Sequence, residues 1–356
     1  MMVEKNLVTR HQGLKLALTF LFFISSLCGC AQPEKPRELV RPPVAQWPAV
    51  KPAITWVKSI NKFESEKKNI WGKIAGAISG QKKAIDGLVK PVSVTVGRDG
   101  SMAIADPANG MVHFYDAEKQ RYLRITATRK GEELAFPVGV AFDKDLRLFV
   151  SDSFTAQVHI FDRNGRYILS IKETTDGRLK RPTALACNAP GDKLYVADTA
   201  WHKIHIFDME GRFISSFGGR GTAEGRFNFP TYIFCDQKGL LYVTDAMNFR
   251  VQIFNADGKF VAKLGHHGDG SGDFAMPKGI AVDESGVIYM VDSLFDNVQL
   301  FNREGRLLLT VGQRGTDMGE FWLPSGCFID QKHYLYVCDT YNRRIQVFKI
   351  EGGALQ

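Results

Sequence analysis

Two stretches of the same length decide the fold of this 356-residue chain. Residues 241–254 read LYVTDAMNFRVQIF, and residues 335–348 read LYVCDTYNRRIQVF. Each has a run of β-branched and aromatic residues, an aspartate, a short polar loop and a second such run, which is typical of two antiparallel strands and their connection. The same unit recurs along the chain with two markers. The proline markers are Pro91, Pro137, Pro182, Pro230, Pro277 and Pro324, at intervals of 46, 45, 48, 47 and 47 residues. The aspartate markers are Asp106, Asp152, Asp198, Asp245, Asp292 and Asp339, at intervals of 46, 46, 47, 47 and 47 residues.

One repeat contains enough sequence for four short strands. In the fourth repeat these are residues 232–236, 240–245, 250–255 and 259–265, and Gly239 and Gly258 fall in the turns between them. Periods of 40 to 50 residues with several strands per unit indicate propeller blades. The sequence therefore predicts an all-β fold, a β-propeller with six blades.

The two stretches quoted above resemble the NHL repeat, whose core reads roughly LYVADTxNxRIQVF. The resemblance covers residues 88–350. It is weaker in the first three repeats, and in the second and third Gln157 and Lys203 replace the arginine of the family. It implies an NHL-like six-bladed propeller. The resemblance also implies two alternative functions. NHL-like propellers include metal-dependent lyases and hydrolases, and in animals they include RNA-binding proteins.

The sixth repeat lacks sequence for a fourth strand, because only eight residues follow Phe348. Residues 54–60 (ITWVKSI) resemble the fourth strands of other repeats, so we expect them to pair beside residues 344–348 and to close the ring, since an unpaired edge there would promote aggregation. Between this strand and the first repeat, Ile70, Trp71 and Ile74 recur at helical spacing. A short helix is predicted over residues 66–79, either as a plug against one mouth of the propeller or as a membrane-surface helix.

The N-terminus has the pattern of a targeting segment. Three basic residues precede an apolar run over residues 16–27, which ends in Leu-Cys-Gly-Cys. This resembles a bacterial lipobox, so residues 1–29 are predicted to be a lipoprotein signal peptide and Cys30 the lipidated residue; a plain secretory signal is the alternative. Residues 30–53 contain six prolines and are predicted to form an extended tether. The expected location is the bacterial cell envelope, in the outer membrane if the source is Gram-negative, with the lipid anchor as the contact to the membrane.

Composition excludes several classes of protein. The chain is 44% hydrophobic and 24% charged with six cysteines, which is unlike a disordered, collagen-like or disulfide-built protein. The formal net charge of +8 is scattered over the repeats, and removal of residues 1–29 would lower it to +6. Together with the predicted export, this argues against a nucleic-acid partner.

Candidate metal ligands do not converge in the predicted fold. His113, His159 and His205 occupy equivalent third-strand positions in three repeats, so they should lie well over 10 Å apart, whereas a zinc ion binds its ligands at about 2.1 Å. The sequence from His266 to Asp273 aligns with the glycine-rich loop G-x-x-G-x-x-x-G-x-F of the neighbouring repeats. The six marker aspartates are predicted to cap turns. Small or neutral residues are predicted to enter the central channel: Ser93, Gly139, Ala184, Tyr232, Gly279 and Gly326. No catalytic residue, metal or cofactor is therefore expected.

The remaining candidate is a binding face formed by the loops between second and third strands. Aromatic residues and arginine are enriched at binding hot spots. The residues predicted to lie on this face are Phe154, Trp201, His202, Met247, Phe249, Arg250, Leu294, Phe295, Tyr341, Arg343 and Arg344. The expected function is a non-catalytic binding or scaffolding module for a protein, peptide or polysaccharide; the alternative is a metal-dependent lyase or hydrolase with its site at the channel. The sequence leaves the oligomeric state open.

Overall fold

A computed structural model describes residues 46–47, 53–63, 87–129 and 132–351. All of them belong to one compact unit, Val44–Gln356. The predicted signal peptide (1–29), Cys30, most of the predicted tether (30–53) and the predicted helix (66–79) lie outside the described residues. Within the described ranges, no helix has the length and apolar character needed to cross a bilayer.

The described residues form six antiparallel blades. The first five have four strands in sequence order from the centre outward, and the sixth has five, because two N-terminal strands lie outside its third strand. From the first blade to the sixth, the inner strands are Ser93–Val96, Pro137–Phe142, Pro182–Cys187, Pro230–Cys235, Pro277–Val282 and Cys327–Ile329. The second strands are Met102–Asp106, Leu148–Asp152, Leu194–Asp198, Leu241–Asp245, Ile288–Asp292 and Tyr334–Asp339. The third strands are Met111–Asp116, Gln157–Phe161, Lys203–Phe207, Arg250–Phe254, Asn297–Phe301 and Arg344–Ile350. The outer strands are Arg121–Ile125, Tyr167–Ile171, Phe213–Gly218, Phe260–Leu264, Leu307–Val311 and, for the sixth blade, Ile54–Ile60.

Short elements fill the connections between these sheets. In the part of the chain that the structure describes, two small hairpins join the first three blades, and two short 3-10 helices follow the second strands of the first and fourth blades. The hairpins pair Ala127–Arg129 with Glu132–Glu133, and Glu173–Thr174 with Gly177–Arg178; the 3-10 helices are Pro107–Asn109 and Ala246–Asn248.

The inner strand of each blade contacts the inner strand of the next, and that of the sixth contacts that of the first, so the ring is closed. The predicted closing strand is confirmed. Ile54–Ile60 pairs antiparallel with Arg344–Ile350, from Ile54 opposite Ile350 to Ile60 opposite Ile345. Trp56 donates from Nε1 to Oε1 of Gln346 at 3.0 Å. The extra strand Gln46–Trp47 pairs with the start of this strand. The predicted all-β six-bladed propeller is thus the observed fold.

The core lies between neighbouring sheets, since each apolar cluster combines residues of two adjacent blades. In blades two to six a fully buried phenylalanine lies at or near the end of the third strand, at Phe161, Phe207, Phe254, Phe301 and Phe348. In the glycine-rich loops that enter the fourth, fifth and sixth blades, Phe227, Phe274 and Phe321 are also fully buried. Phe274 contacts Phe301 with ring centroids 5.6 Å apart and perpendicular planes, an edge-to-face geometry favoured by aromatic quadrupoles. This packing fixes the angle between blades and the position of every loop.

Alternation of strand direction gives the propeller two distinct faces. The loop face carries the prolines that open the inner strands and the loops between second and third strands. The turn face carries the turns between inner and second strands and those between third and outer strands.

Candidate functional site

The loop face concentrates the exposed apolar side chains. Twelve large hydrophobic side chains are exposed among the described residues, and eight of them lie on this face, either just before a proline of the ring or just after an aspartate. These eight are Phe136, Phe154, Phe229, Met247, Met276, Leu294, Trp322 and Tyr341, with Phe154 the most exposed at 81%. The other four (Val57, Ile168, Ile214 and Val261) lie on outer strands. Exposed apolar groups gathered on one side of a rigid ring are typical of an interaction surface.

The loops that carry these side chains are fixed by the six marker aspartates, all of which are fully buried. Asp152 accepts hydrogen bonds from four backbone amides, those of Ala135 and Phe136 before the proline and those of Phe154 and Thr155 after the strand, at 2.7 to 3.2 Å. One carboxylate therefore joins the two loops of a blade. Burial alone would raise the pKa of the Asp106 carboxyl, but four partners around it, including the His113 ring, lower that pKa.

Two residues predicted on the binding face have another role. Arg250 donates from Nε to Oδ2 of Asp245 at 2.8 Å, and its Nη2 donates to the carbonyl oxygens of Ala223 and Arg226. Its side chain is only 10% exposed. The expectation that this guanidinium is displayed for a ligand is corrected, because its donors are already used inside the blade.

Arg344 is bound in the same way in the sixth blade. It contacts Asp339 at 2.7 Å and the carbonyl oxygens of Asp317 and Glu320 at 2.7 and 2.9 Å. Burial raises the pKa of Asp339 even though Arg344 opposes this. Its predicted display is therefore corrected as well; both arginines clamp the glycine-rich loop to the marker aspartate.

The other predicted residues lie on or under the loop face. Tyr341 and Arg343 are exposed, whereas Trp201, His202, Phe249 and Phe295 are half-buried. Trp201 donates from Nε1 to the carbonyl of Arg178 at 2.9 Å. The ring of Phe249 contacts His267 at 4.2 Å between centroids. Only part of each of these rings is therefore available to a partner.

His202 has a local structural contact. Its Nδ1 accepts a hydrogen bond from the Phe229 amide at 3.1 Å, and burial lowers the pKa of its ring. It also contacts the Phe229 ring edge to face, with centroids 4.7 Å apart. The neutral imidazole thereby holds an exposed phenylalanine of the next blade in place.

Cations accompany the apolar groups on the loop face. They are Lys90, Lys180, Arg181, Lys278 and Arg343. Lys180 lies over the Trp201 ring at 3.6 Å from its centroid, and Lys90 lies over the Tyr341 ring at 4.8 Å. In the part of the chain that the structure describes, none of these five cationic side chains forms an ion pair with a carboxylate. These five cations therefore lie among the exposed apolar groups of the loop face.

The central channel is closed on the loop face. Tyr232 of the fourth blade donates its hydroxyl hydrogen to the carbonyl of Val92 in the first blade at 2.9 Å. The glycines predicted at this level are required by close approach of the inner strands: a Cβ added at Gly139 would lie 2.0 Å from the carbonyl oxygen of Thr183, and one at Gly326 would lie 2.5 Å from that of Val92. Tyr232 and the closely spaced inner strands therefore close the channel at the centre of the loop face.

The channel opens on the turn face into a cavity of about 980 Å³. At its rim lies a second aspartate series that the sequence reasoning missed: Asp143, Asp236, Asp283 and Asp330, with Asn188 in the third blade. Their spacing of about 47 residues was visible in the sequence. Asp283 accepts from the Tyr289 hydroxyl at 3.0 Å and from the amides of its own turn. Asp330 likewise accepts hydrogen bonds from the Tyr336 hydroxyl and from the amide of Tyr334 in its own turn. The carboxylates of Asp283 and Asp330 are therefore engaged within their blades, and that of Asp236 contacts both Tyr242 of its own blade and Arg303 of the next.

Histidines and cysteines do not form a metal site in the described part of the chain. There, no group of three or more His, Cys, Asp or Glu side chains is placed to hold an ion. His113 contacts Tyr122 and Asp106 of its own blade, and His159 contacts Ser170 at 2.8 Å. Cys187, Cys235, Cys327 and Cys338 are free thiols, and burial raises the pKa of Cys235 to about 12.

Comparison with known proteins agrees with this architecture. A family model described as 6-bladed beta-propeller matches residues 233–294. The chain is a six-bladed β-propeller. The recognition predicted from the repeats is confirmed to that extent, whereas its lipoprotein part stays a prediction.

Solved structures share the fold of this propeller at low sequence identity. A Bacteroides thetaiotaomicron protein of unknown function is 17% identical, with a TM-score of 0.55 over 75% of this chain and 71% of that one. Virginiamycin B lyase from Staphylococcus aureus is 11% identical, with a TM-score of 0.54 over 74% and 96%. A gluconolactonase from Xanthomonas campestris is 15% identical, with a TM-score of 0.56 over 83% and 98%. No curated protein gave a significant match. These identities establish the fold alone.

Proposed function

We propose that the propeller is a non-catalytic binding module of the bacterial cell envelope, anchored through Cys30, and that its loop face holds a protein or peptide partner. The observation that carries this proposal is that eight of the twelve large hydrophobic side chains exposed among the described residues lie on that face. Burial of such groups drives association, at about 25 cal/mol per Å² of apolar surface removed from water.

The chemistry of the face favours a peptide over a polysaccharide. Met247, Met276 and Leu294 are flexible or aliphatic and offer no hydrogen bond to a sugar hydroxyl. Met in particular adapts to varied apolar side chains. Phe136 and Phe229 add rigid apolar area at small entropic cost.

The rigidity of the loops supports the same conclusion. Each loop is tied to its blade by a buried aspartate, and neighbouring blades are linked by hydroxyl groups, as Thr199 donates to the carbonyl of Pro230 at 2.6 Å. A surface fixed before binding loses less conformational entropy on association. This is what a docking platform requires.

A photo-crosslinking experiment in intact cells of the native source tests the proposal. A benzoylphenylalanine residue replaces Leu294 on the loop face or, as the matched control, Ile214 on an outer strand; both side chains are about half exposed. We expect discrete adducts with one or a few proteins from Leu294 and none of these from Ile214. Adducts that are the same from both positions, or absent from Leu294, would overturn the proposal.

The cellular location is tested separately. Metabolic labelling with an alkyne fatty acid should label the wild-type chain, and Cys30→Ser should abolish the label and release the protein from membranes. Label retained in Cys30→Ser would contradict the anchor without affecting the loop face.

A further inference from the structure

The residue before the ring proline has one of two backbone conformations. In the first, second, third and fifth blades its amide donates to the marker aspartate of the same blade, as the Met276 amide does to Asp292 at 3.0 Å. In the fourth and sixth blades this residue is Phe229 or Leu323, with a φ of 56° and 45° respectively. Positive φ is rare for bulky residues, and a following proline favours an extended conformation. Contacts from elsewhere must therefore hold these two loops in place.

The contact comes from the preceding blade in both cases. The Phe229 amide donates to Nδ1 of His202 at 3.1 Å, and the Leu323 amide donates to Oδ1 of Asp296 at 2.6 Å. His202 and Asp296 each lie four residues after a marker aspartate, so they occupy equivalent positions in the third and fifth blades. The same link between blades is thus formed once by an imidazole and once by a carboxylate.

The two acceptors differ in their response to acid. An imidazole accepts a hydrogen bond only through an unprotonated nitrogen, and both of its nitrogens become donors when it is protonated, near pH 6.5 in model peptides. The carboxylate of aspartate in model peptides keeps its charge down to about pH 3.9. Protonation of His202 would therefore place two donors against each other, its own Nδ1–H and the N–H of Phe229, and break this contact.

The surroundings of His202 favour its neutral form at neutral pH. Burial and the Arg220 guanidinium lower the pKa of His202, whereas Asp245 and the carbonyl of Phe227 oppose this, so the change of charge falls below pH 6.5. The other charged side chains on the segments packed against it have partners of their own. Arg226 donates to the Gly218 carbonyl, Glu224 pairs with Lys263, Lys203 with Asp176 and Asp245 with Arg250, and Asp198 accepts the amides of Lys180 and Arg181.

Two exposed apolar side chains of the loop face depend on this contact. Phe229 is 39% exposed, and its ring lies edge to face on the His202 ring with centroids 4.7 Å apart. The carbonyl oxygens of Asn228 and Phe229 accept hydrogen bonds from the amides of Met247 and Ala246 at 3.0 and 3.3 Å. The 3-10 helix that carries Met247, whose side chain is 54% exposed, is therefore held by the same loop. Loss of the contact at His202 would loosen both side chains.

We propose that His202 is a pH-sensitive switch of the loop face. The neutral imidazole fixes Phe229 and Met247 for binding, and the protonated imidazole releases them, so that the partner is held at neutral pH and released in mild acid. This inference rests on the proposed function, since it names the regulation of the same face. Apolar groups that are ordered before binding lose less entropy on association than mobile ones, which is why their release weakens binding.

NMR of the Phe229 amide tests the switch in the full-length protein without any partner. The protein is labelled with 15N-phenylalanine, and the signal of Phe229 is assigned by its loss in Phe229→Leu. We expect this signal to follow a single-proton titration below pH 6.5. Exchange of the amide proton, corrected for the pH dependence of exchange in free peptides, should become about fivefold faster, as for the loss of a hydrogen bond of ordinary net strength.

His202→Asp is the matched variant, because it introduces the acceptor that the fifth blade uses at this position. The Phe229 signal of this variant should stay constant from pH 7.5 to about 4.5, and so should the Leu323 amide of the wild type, followed with 15N-leucine. A wild-type Phe229 signal that does not titrate in this range, or that titrates equally in His202→Asp, would overturn the switch.

Crosslinking from Leu294 in isolated cell envelopes connects the switch to binding. Between pH 7.5 and pH 4.5 we expect the adduct yield to fall about threefold or more with His202 present, as for the ordering entropy of one or two side chains, and to fall less in His202→Asp. The fold of the variant is checked by near-UV circular dichroism. The same fall in both proteins would refute regulation through His202 and leave the proposed function intact. Absence of adducts at both pH values would refute the proposed function, whereas the NMR titration would still decide the switch.

Discussion

The clamp formed by Arg250 is the feature whose removal gives the sharpest prediction. Arg250→Met keeps most of the apolar stem of the side chain but leaves the fully buried Asp245 without its cation. It also removes donors from the carbonyl oxygens of Ala223 and Arg226. The matched control is Lys203→Met at the equivalent position of the third blade, where the ammonium contacts the partly exposed Asp176 at 2.7 Å.

The expected magnitude follows from burial and from the partners that remain. Breaking a buried ion pair by removing one partner costs about 3 to 5 kcal/mol. Asp245 keeps hydrogen bonds from the Asn228 amide, from Asn248 and from Gln252, so we expect a loss toward the lower end, about 3 kcal/mol. The pair at Lys203 is partly exposed, and such pairs contribute about 0 to 1 kcal/mol.

Urea unfolding followed by tryptophan fluorescence measures both changes from the transition midpoint at constant slope. A midpoint for Arg250→Met that falls no further than that for Lys203→Met would refute the clamp. The exposed binding role for Arg250 would then have to be reconsidered.

Three other predictions concern stability. His159→Gln introduces the residue that blades four to six carry at this position. Burial lowers the pKa of His159 from 6.5 to about 4, so the unfolded chain binds more protons than the folded one between these pH values. As the pH drops from 6.5 to 4, the free energy of unfolding of the wild type should therefore fall by about 3 kcal/mol relative to the variant, measured by urea titration at each pH. A parallel pH dependence of the two proteins would contradict this. Ile54→Ala in the closing strand should cost about 3 kcal/mol, since Ile54 is fully buried, whereas Val57→Ala at the exposed side should cost less than about 1 kcal/mol; equal thermal midpoints would argue against closure. Gly139→Ala should destabilise by more than about 2 kcal/mol in the same assay, because its new Cβ would meet a backbone oxygen 2.0 Å away; a midpoint within 1 °C of the wild type would refute the requirement for close strand contact.

The fold was predictable because the residues that define the repeat act within short segments of the chain. Prolines that open inner strands, aspartates that cap loops and glycines in turns act within one blade, so their spacing is visible without knowledge of the rest. The missing strand of the sixth blade was predictable for the same reason, since residues 54–60 have the pattern of an outer strand. The second aspartate series, Asp143, Asp236, Asp283 and Asp330, is equally regular in the sequence.

The candidate site was predictable only in part. Arg250 and Tyr341 both occur in loops that reach the same face, and both are residue types common at binding hot spots. Their side chains differ in exposure because of contacts with segments distant in sequence. Arg250 donates to carbonyl oxygens about 25 residues earlier in the chain and is buried. Tyr341 contacts Trp322 and Lys90 and stays exposed. Periodicity gives the position of a side chain in its blade but not the donors and acceptors around it.

The sequence by itself determined the number of blades, the strands within each and the closure of the ring, because these follow from a hydrophobic pattern repeated with constant spacing. Only the tertiary structure decided which loop residues are clamps and that the Tyr232 hydroxyl crosses the channel on one face. The Arg250 clamp depends on carbonyl oxygens 24 and 27 residues earlier, and the Tyr232 contact joins segments 140 residues apart, so no local sequence pattern predicts either of them.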